Sequence, residues 1–261
     1  MIKIYNNGKE FLDENRAYLD ENKYMSTFFY KDSEILDELS KKNYAIKAFS
    51  NGNELLGIKI EPYNLILYGK KECLDELLLF LNDNQYECDG IMCPEEIGDE
   101  LIKRNYTELI GMDFMEAKTK TISSSSDVLI PTYEEMGLMY DDANNFFIEC
   151  GLPDRVKKEV FMSQYKNFRV IKDNGIIVSF AKMVDSTDLD VRISFVYTKP
   201  SYRGRGYAKK IVNNIKNEII DRGKVATLNV DKKNPISNHI YASIGFKKVF
   251  SQGVYFYKNK K

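Results

Sequence analysis

One histidine, His239, and four cysteines, Cys73, Cys88, Cys93 and Cys150, are all the imidazole and thiol groups this sequence offers. The cysteines lack the paired spacing that grips zinc, so no metal is expected, and four of them in 261 residues do not make a disulfide scaffold. Buried or free thiols are the default reading. No apolar run approaches the roughly 18 residues that a membrane-spanning helix needs. The opening Met1–Glu10 has neither the apolar core of a secretory signal nor the arginine-rich character of a transit peptide. A cytoplasmic location with no membrane partner is the resulting expectation.

What is present suffices for packed cores. Hydrophobic residues make up 43% of the chain, with 15 Phe and 18 Tyr, and the length suits two modest domains or one large one. The net charge of −1 hides an asymmetry: residues 1–100 hold 11 Lys and Arg against 21 Asp and Glu, whereas residues 201–261 hold 14 against 3. A basic end favours anionic ligands. Nucleic acid is not the partner expected, although Tyr255 and Tyr257 interleave with basic residues, because most of those residues fall on solvent faces of helices.

The clearest break in composition is Ile122-Ser123-Ser124-Ser125-Ser126-Asp127, a polar linker. Before it, the pattern predicts a helical opening over 10–40, strands over 45–50, 55–60 and 65–68, a helix over 73–81, a strand over 87–92, a helix over 95–104 and a strand over 109–117. After it come helices over 133–149 and 155–165, then strands over 168–172 and 176–184. The pair Asn174-Gly175 between those two apolar runs is a hairpin signal. The expected division is an N-terminal α/β domain, residues 1–122, and a second domain, residues 131–261.

Residues 196–208, Val-Tyr-Thr-Lys-Pro-Ser-Tyr-Arg-Gly-Arg-Gly-Tyr-Ala, carry the most information. A strand with Val191, Ile193, Phe195 and Tyr197 on one face ends at Lys199-Pro200. A helix follows whose apolar positions are Ala208, Ile211, Val212, Ile215 and Ile219, the spacing of one buried face. Between them Gly204 and Gly206 allow a positive φ and a close approach of backbone to an anion. The N–H groups of the first helical turn then point at that anion. The spacing is neither a Walker loop nor a dinucleotide fingerprint, since position 209 is Lys rather than Gly.

The run Arg203-x-x-Gly206-x-Ala208 resembles the pyrophosphate loop of the GNAT superfamily of acyl-CoA-dependent N-acyltransferases. Downstream, Asn234 lies seven residues before Tyr241, which is followed four later by Gly245-Phe246, and this is similar to a second signature of that family. Asn234-Pro235 reads as a helix start, Gly245 as its end, and residues 225–230 as the strand between the signatures. The resemblance covers the C-terminal half. It implies a mixed α/β (α+β) sheet, acetyl-CoA as donor, and direct attack of an amine on the thioester. The N-terminal half is similar in strand order only, as in two-lobed bacterial acetyltransferases with a degenerate first lobe. Its turn Gly69-Lys70-Lys71-Glu72 lacks the loop pattern, so no coenzyme is expected there.

By that resemblance, backbone groups of Val196, Tyr197 and Thr198 would pair with the pantetheine arm. The N–H groups from Arg203 through Gly204, Arg205, Gly206 and Tyr207 to Ala208 would hold the pyrophosphate, with the Arg203 and Arg205 side chains adding charge. Tyr241 would protonate the leaving thiolate, and Asn234 would contact pantetheine or simply cap its helix. The base is open between Asp190, read on the face of Ser194 and Val196, and Glu149. Arg192 stands where many members of the family carry a carboxylate. His239 reads as a solvated polar residue. The expected acceptor is a primary amine of a small molecule, with a cationic amine suited to the acidic residues 1–100. Protein acetylation and a non-catalytic acyl-CoA-binding module remain the alternatives, and a homodimer is compatible with the family.

Overall fold

The computed structural model describes residues 1–36, 38–122, 127–150 and 157–258. The chain divides into two compact units, one formed by Met1–Met112 with the chain from Phe250 onward, the other by Asp113–Val249. Residues 123–126 of the polar linker lie outside the described residues, as do the first two positions of the helix expected from 155.

In the first unit, β1 (Ile2–Ile4) precedes α1 (Gly8–Asp20) and α2 (Lys23–Glu34), so the helical opening is two helices behind a short strand. Strands β2 (Tyr44–Ser50), β3 (Asn53–Lys59) and β4 (Leu65–Gly69) run antiparallel to one another in succession. Helix α3 (Leu74–Asp83) then leads to β5 (Gly90–Pro94), which lies parallel to β4. After β5 come α4 (Glu95–Lys103) and β6 (Tyr106–Ala117). One core lies against α3 and α4, with Tyr44, Leu67, Leu77, Ile91 and Leu101. A second lies against α1 and α2, with Tyr5, Phe11, Leu19, Phe29 and Ile58.

The second unit holds β7 (Val128–Leu129), α5 (Tyr133–Glu149), α6 (Lys158–Ser163), β8 (Phe168–Asp173), β9 (Ile176–Asp185) and β10 (Asp190–Thr198). Then follow α7 (Tyr207–Asp221), β11 (Val225–Asp231), α8 (Pro235–Ser243) and β12 (Lys247–Tyr257), the last of which returns to the first unit at Phe250. The strand order is β11-β10-β9-β8-β7, with β10 and β11 parallel and the rest antiparallel. Asn174 and Gly175, at φ 48° and 79°, make the tight turn between β8 and β9 that the Asn-Gly pair predicts. Both units thus contain an antiparallel run that feeds, through one helix, a parallel pair: β2-β3-β4 then β5, and β8-β9-β10 then β11.

Two cores sandwich the second unit's sheet. One face packs on α7 and α8 through Ile211, Val212, Ile215, Ile219 and Tyr241. The other packs on α5 and α6 through Met136, Met139 and Phe161. Strand β10 does not keep one face along its length. Val191 and Ile193 enter the α7 core, but Tyr197 enters the α5 core, with Phe195 packed against it. The cause is a bulge between Ser194 and Tyr197, where Phe195 takes φ 56°. One extra residue reverses the alternation. The single face expected for Val191, Ile193, Phe195 and Tyr197 is therefore corrected, and Val196 moves to the face of Val191 rather than that of Asp190.

Candidate functional site

The end of β10, a short 3-10 turn at Pro200–Tyr202 and the start of α7 form a hook around an open space. Gly204 and Gly206 have φ 78° and 80°, and a Cβ at either would meet nothing within 4 Å. Their requirement is conformational, and the room above them is free. Gly206 is the N-cap of α7 and no side chain caps this end. Among the described residues, no protein acceptor takes the N–H groups of Gly204, Arg205, Gly206, Tyr207 or Ala208. These unpaired donors, at the positive end of a 15-residue helix, suit a diphosphate.

The basic side chains of the hook already have carboxylate partners. Arg203 donates from Nη2 to both oxygens of Glu149 (2.8 Å each) and from Nε to the Thr198 carbonyl (2.9 Å). Arg205 lies 3.5 Å from Asp173 and over the Tyr202 ring. Lys199 pairs with Asp142, and Lys210 with Asp127. With Arg203 and Glu149 47% and 44% exposed, their pair contributes at most about 1 kcal/mol, so an incoming phosphate competes easily for the guanidinium. Glu149, the second candidate base, is occupied by this pairing.

Tyr197 and Thr198, at the end of β10, are held from the β9 side. Ser179 Oγ donates to the Tyr197 carbonyl (2.9 Å) and bonds with Thr198 Oγ1. On the other side, β10 opens. Its parallel ladder with β11 runs from Asp190↔Val225 to Ile193↔Leu228 and stops, although both strands continue. Val196 lies in the stretch released by the bulge, where backbone groups are free to pair with an extended ligand arm.

Tyr241 sits two turns into α8, only 7% exposed, its ring edge-on to Phe246 in the α7 core. Burial pushes its hydroxyl up to about 12, against a smaller opposing effect of the bond with Ser237. The group is therefore a weaker acid than a free tyrosine and stays protonated throughout the neutral range. Asn234 caps α8, accepting from the Ser237 N–H at 3.0 Å. His239 is exposed.

The structure does not bring Asp190 to these residues. It begins β10, roughly 25 Å along the strand from Thr198 at about 3.3 Å per residue. It is 1% exposed and accepts from Thr227 Oγ1 (2.8 Å) and Thr187 Oγ1, fastening the turn before the strand. Asn229 of β11 is the residue that sequence reading passed over: its Oδ1 is buried without a hydrogen-bond partner among the described residues. The signal was the alternation of Thr227 and Asn229 with the core residues Ala226, Leu228 and Val230.

Residues 180–255 match the model of the FR47-like protein family. An uncharacterized N-acetyltransferase of Mycobacterium bovis is 28% identical over 102 residues, which span 39% of this chain and 65% of that protein. An L-amino acid N-acyltransferase of Escherichia coli is 30% identical over 83 residues, covering 30% of this chain and 48% of that one. The chain thus spans less than two thirds of either relative's length. The fold extends further than the sequence likeness. A GCN5-related N-acetyltransferase from Kribbella flavida superposes with a TM-score of 0.61 at 12% identity, over 91% of this chain and 95% of that one.

Proposed function

We propose that this chain belongs to the GNAT superfamily and moves an acetyl group from acetyl-CoA to the primary amine of a small molecule by direct attack. The observation that carries the reading is the hook itself, a glycine turn with positive φ at both glycines and a row of N–H donors without acceptors among the described residues. Neutral hydrogen-bond donors at a helix N-terminus accept a diphosphate whatever the charge state of the neighbouring arginines. The released edge of β10 supplies the amide-pairing surface for the pantetheine arm.

In this reading the amine nitrogen forms a bond to the thioester carbonyl carbon, the C–S bond breaks, and the amine proton passes to water. Tyr241 donates to the departing sulfur. A buried hydroxyl near 12 is too weak an acid to protonate the thiolate fully in the ground state, so its contribution is a hydrogen bond that strengthens as charge develops on sulfur. Asp190 is left to its structural bonds. The first unit, which repeats the strand plan without the loop, is proposed as a degenerate copy that binds no coenzyme.

The test is calorimetric titration with acetyl-CoA beside CoA and ATP, followed by thiol release on an amine panel. Binding of the CoA species alone, with turnover on an amine, is the expected result. A chain that binds neither CoA species does not perform this reaction.

A further inference from the structure

The sheet face opposite α7 carries a second, separate chemistry. Arg192 of β10 alternates with the core residues Val191 and Ile193, and Lys182 of β9 alternates with Ala181 and Met183. Thr227 and Asn229 of β11 alternate with Ala226, Leu228 and Val230, so all four project to the same side. The registers make them neighbours. Arg192 stands opposite Thr227, and Lys182 opposite Ser194, which makes Lys182 and Arg192 diagonal partners about 7–8 Å apart.

Neither cation has a carboxylate in ion-pair contact among the described residues. Asp190 is the carboxylate whose charge acts on Arg192, and its oxygens are taken by Thr187 and Thr227. Burial lowers the affinity of both cations for their protons, and the charge of Arg192 lowers that of Lys182 further. Two part-buried like charges side by side are costly unless an anion joins them. Just past the end of the parallel ladder, Asn229 Oδ1 is a buried acceptor without a donor among the described residues. Beyond it, Phe195 is ringed by Phe146, Phe147, Phe161 and Phe168 at centroid distances of 4.8 to 6.4 Å.

We infer that the acceptor is an α-amino acid with an apolar side chain, its amine donating to Asn229 Oδ1 and its carboxylate held by Arg192 and Lys182. The inference rests on the acetyl-transfer reading and narrows its substrate class. It replaces the cationic amine suggested by the acidity of residues 1–100, because the groups around the ladder opening are positive and a polyamine would add to their repulsion. A guanidinium fork matches a carboxylate in two parallel bonds, while the lysine adds a point charge. Asn229 cannot act as a base; it accepts an N–H and so orients the nitrogen.

The experiment measures thiol release from acetyl-CoA by the full chain with L-phenylalanine, L-leucine and L-methionine, each beside its α-amide, for wild type, Arg192→Met and Lys182→Met. At least one amino acid is expected to exceed its amide about tenfold or more in kcat/KM. Arg192→Met then lowers that value about tenfold, chiefly through KM, with the amide changed less than about twofold. Amides that react as well as the acids, or a preference untouched by both substitutions, overturn the anion site and leave acetyl transfer standing. Acetyl-CoA binding with no transfer to any amine removes both readings. The comparison of acid with amide needs no variant, so a poorly folded mutant does not weaken it.

Discussion

Gly206 combines a left-handed backbone with empty space where a Cβ would go. Gly206→Val accordingly strains the turn by about 1–2 kcal/mol, although its Cβ meets no neighbour. The variant should remain folded by circular dichroism while its affinity for acetyl-CoA falls more than about tenfold in calorimetry. Tyr241 gives a prediction of opposite kind. Tyr241→Phe should leave coenzyme affinity unchanged and lower kcat about a hundredfold. With the hydroxyl near 12, no alkaline fall in activity below pH 11 is assigned to it. Its folded-state value lies above the ordinary 10, so the stability it contributes is complete below pH 10 and is lost as pH rises through 12. Chemical denaturation of wild type and Tyr241→Phe at pH 9 and 11.5 should show the wild-type advantage shrinking.

Among the elements, α2 offers a pH test distant from the site. Burial raises Asp32 to about 6 from an ordinary 3.8. The folded state therefore holds this proton more tightly than the unfolded chain, and stability declines as pH rises from 4 to 6. Asp32→Asn should raise Tm at pH 7 and change it little at pH 4. Elements were legible where local signals agreed. Helix α5 spans the residues expected of it, and the structure adds the capping box of Thr132 and Glu135. The glycine hook, Asn234 and Tyr241 were legible because each belongs to a short motif. The face of β10 was not, since a one-residue bulge at a phenylalanine with φ 56° leaves no glycine in the sequence to announce it. Nor were Lys182, Arg192 and Asn229 legible as a group. Their proximity arises from register between three strands, a non-local property that periodicity cannot report.

At the scale of the whole molecule, the closing strand ties the end of the chain into the first unit. Gln252–Phe256 of β12 pair with Pro94–Gly90 of β5, and Tyr255, 1% exposed, fills the core beside α3 and α4. Residues 1–112 made alone would lack that strand and leave β5 with an open edge, and such a fragment should aggregate. Its solubility should recover when a peptide of residues 247–258 is supplied in trans, which light scattering would follow. Tyr255→Ala should cost the full chain about 3–5 kcal/mol in urea unfolding. Sheet partners that lie so far apart in the chain are invisible to a linear reading of domains, whereas the antiparallel run and parallel pair that recur in both units follow from local strand and helix signals. The pairing of β12 with β5 also fixes an order of events during synthesis. The ribosome delivers β5 long before the strand that completes its sheet, so the first unit is among the last parts to finish folding, and it waits with an exposed edge while the second unit emerges.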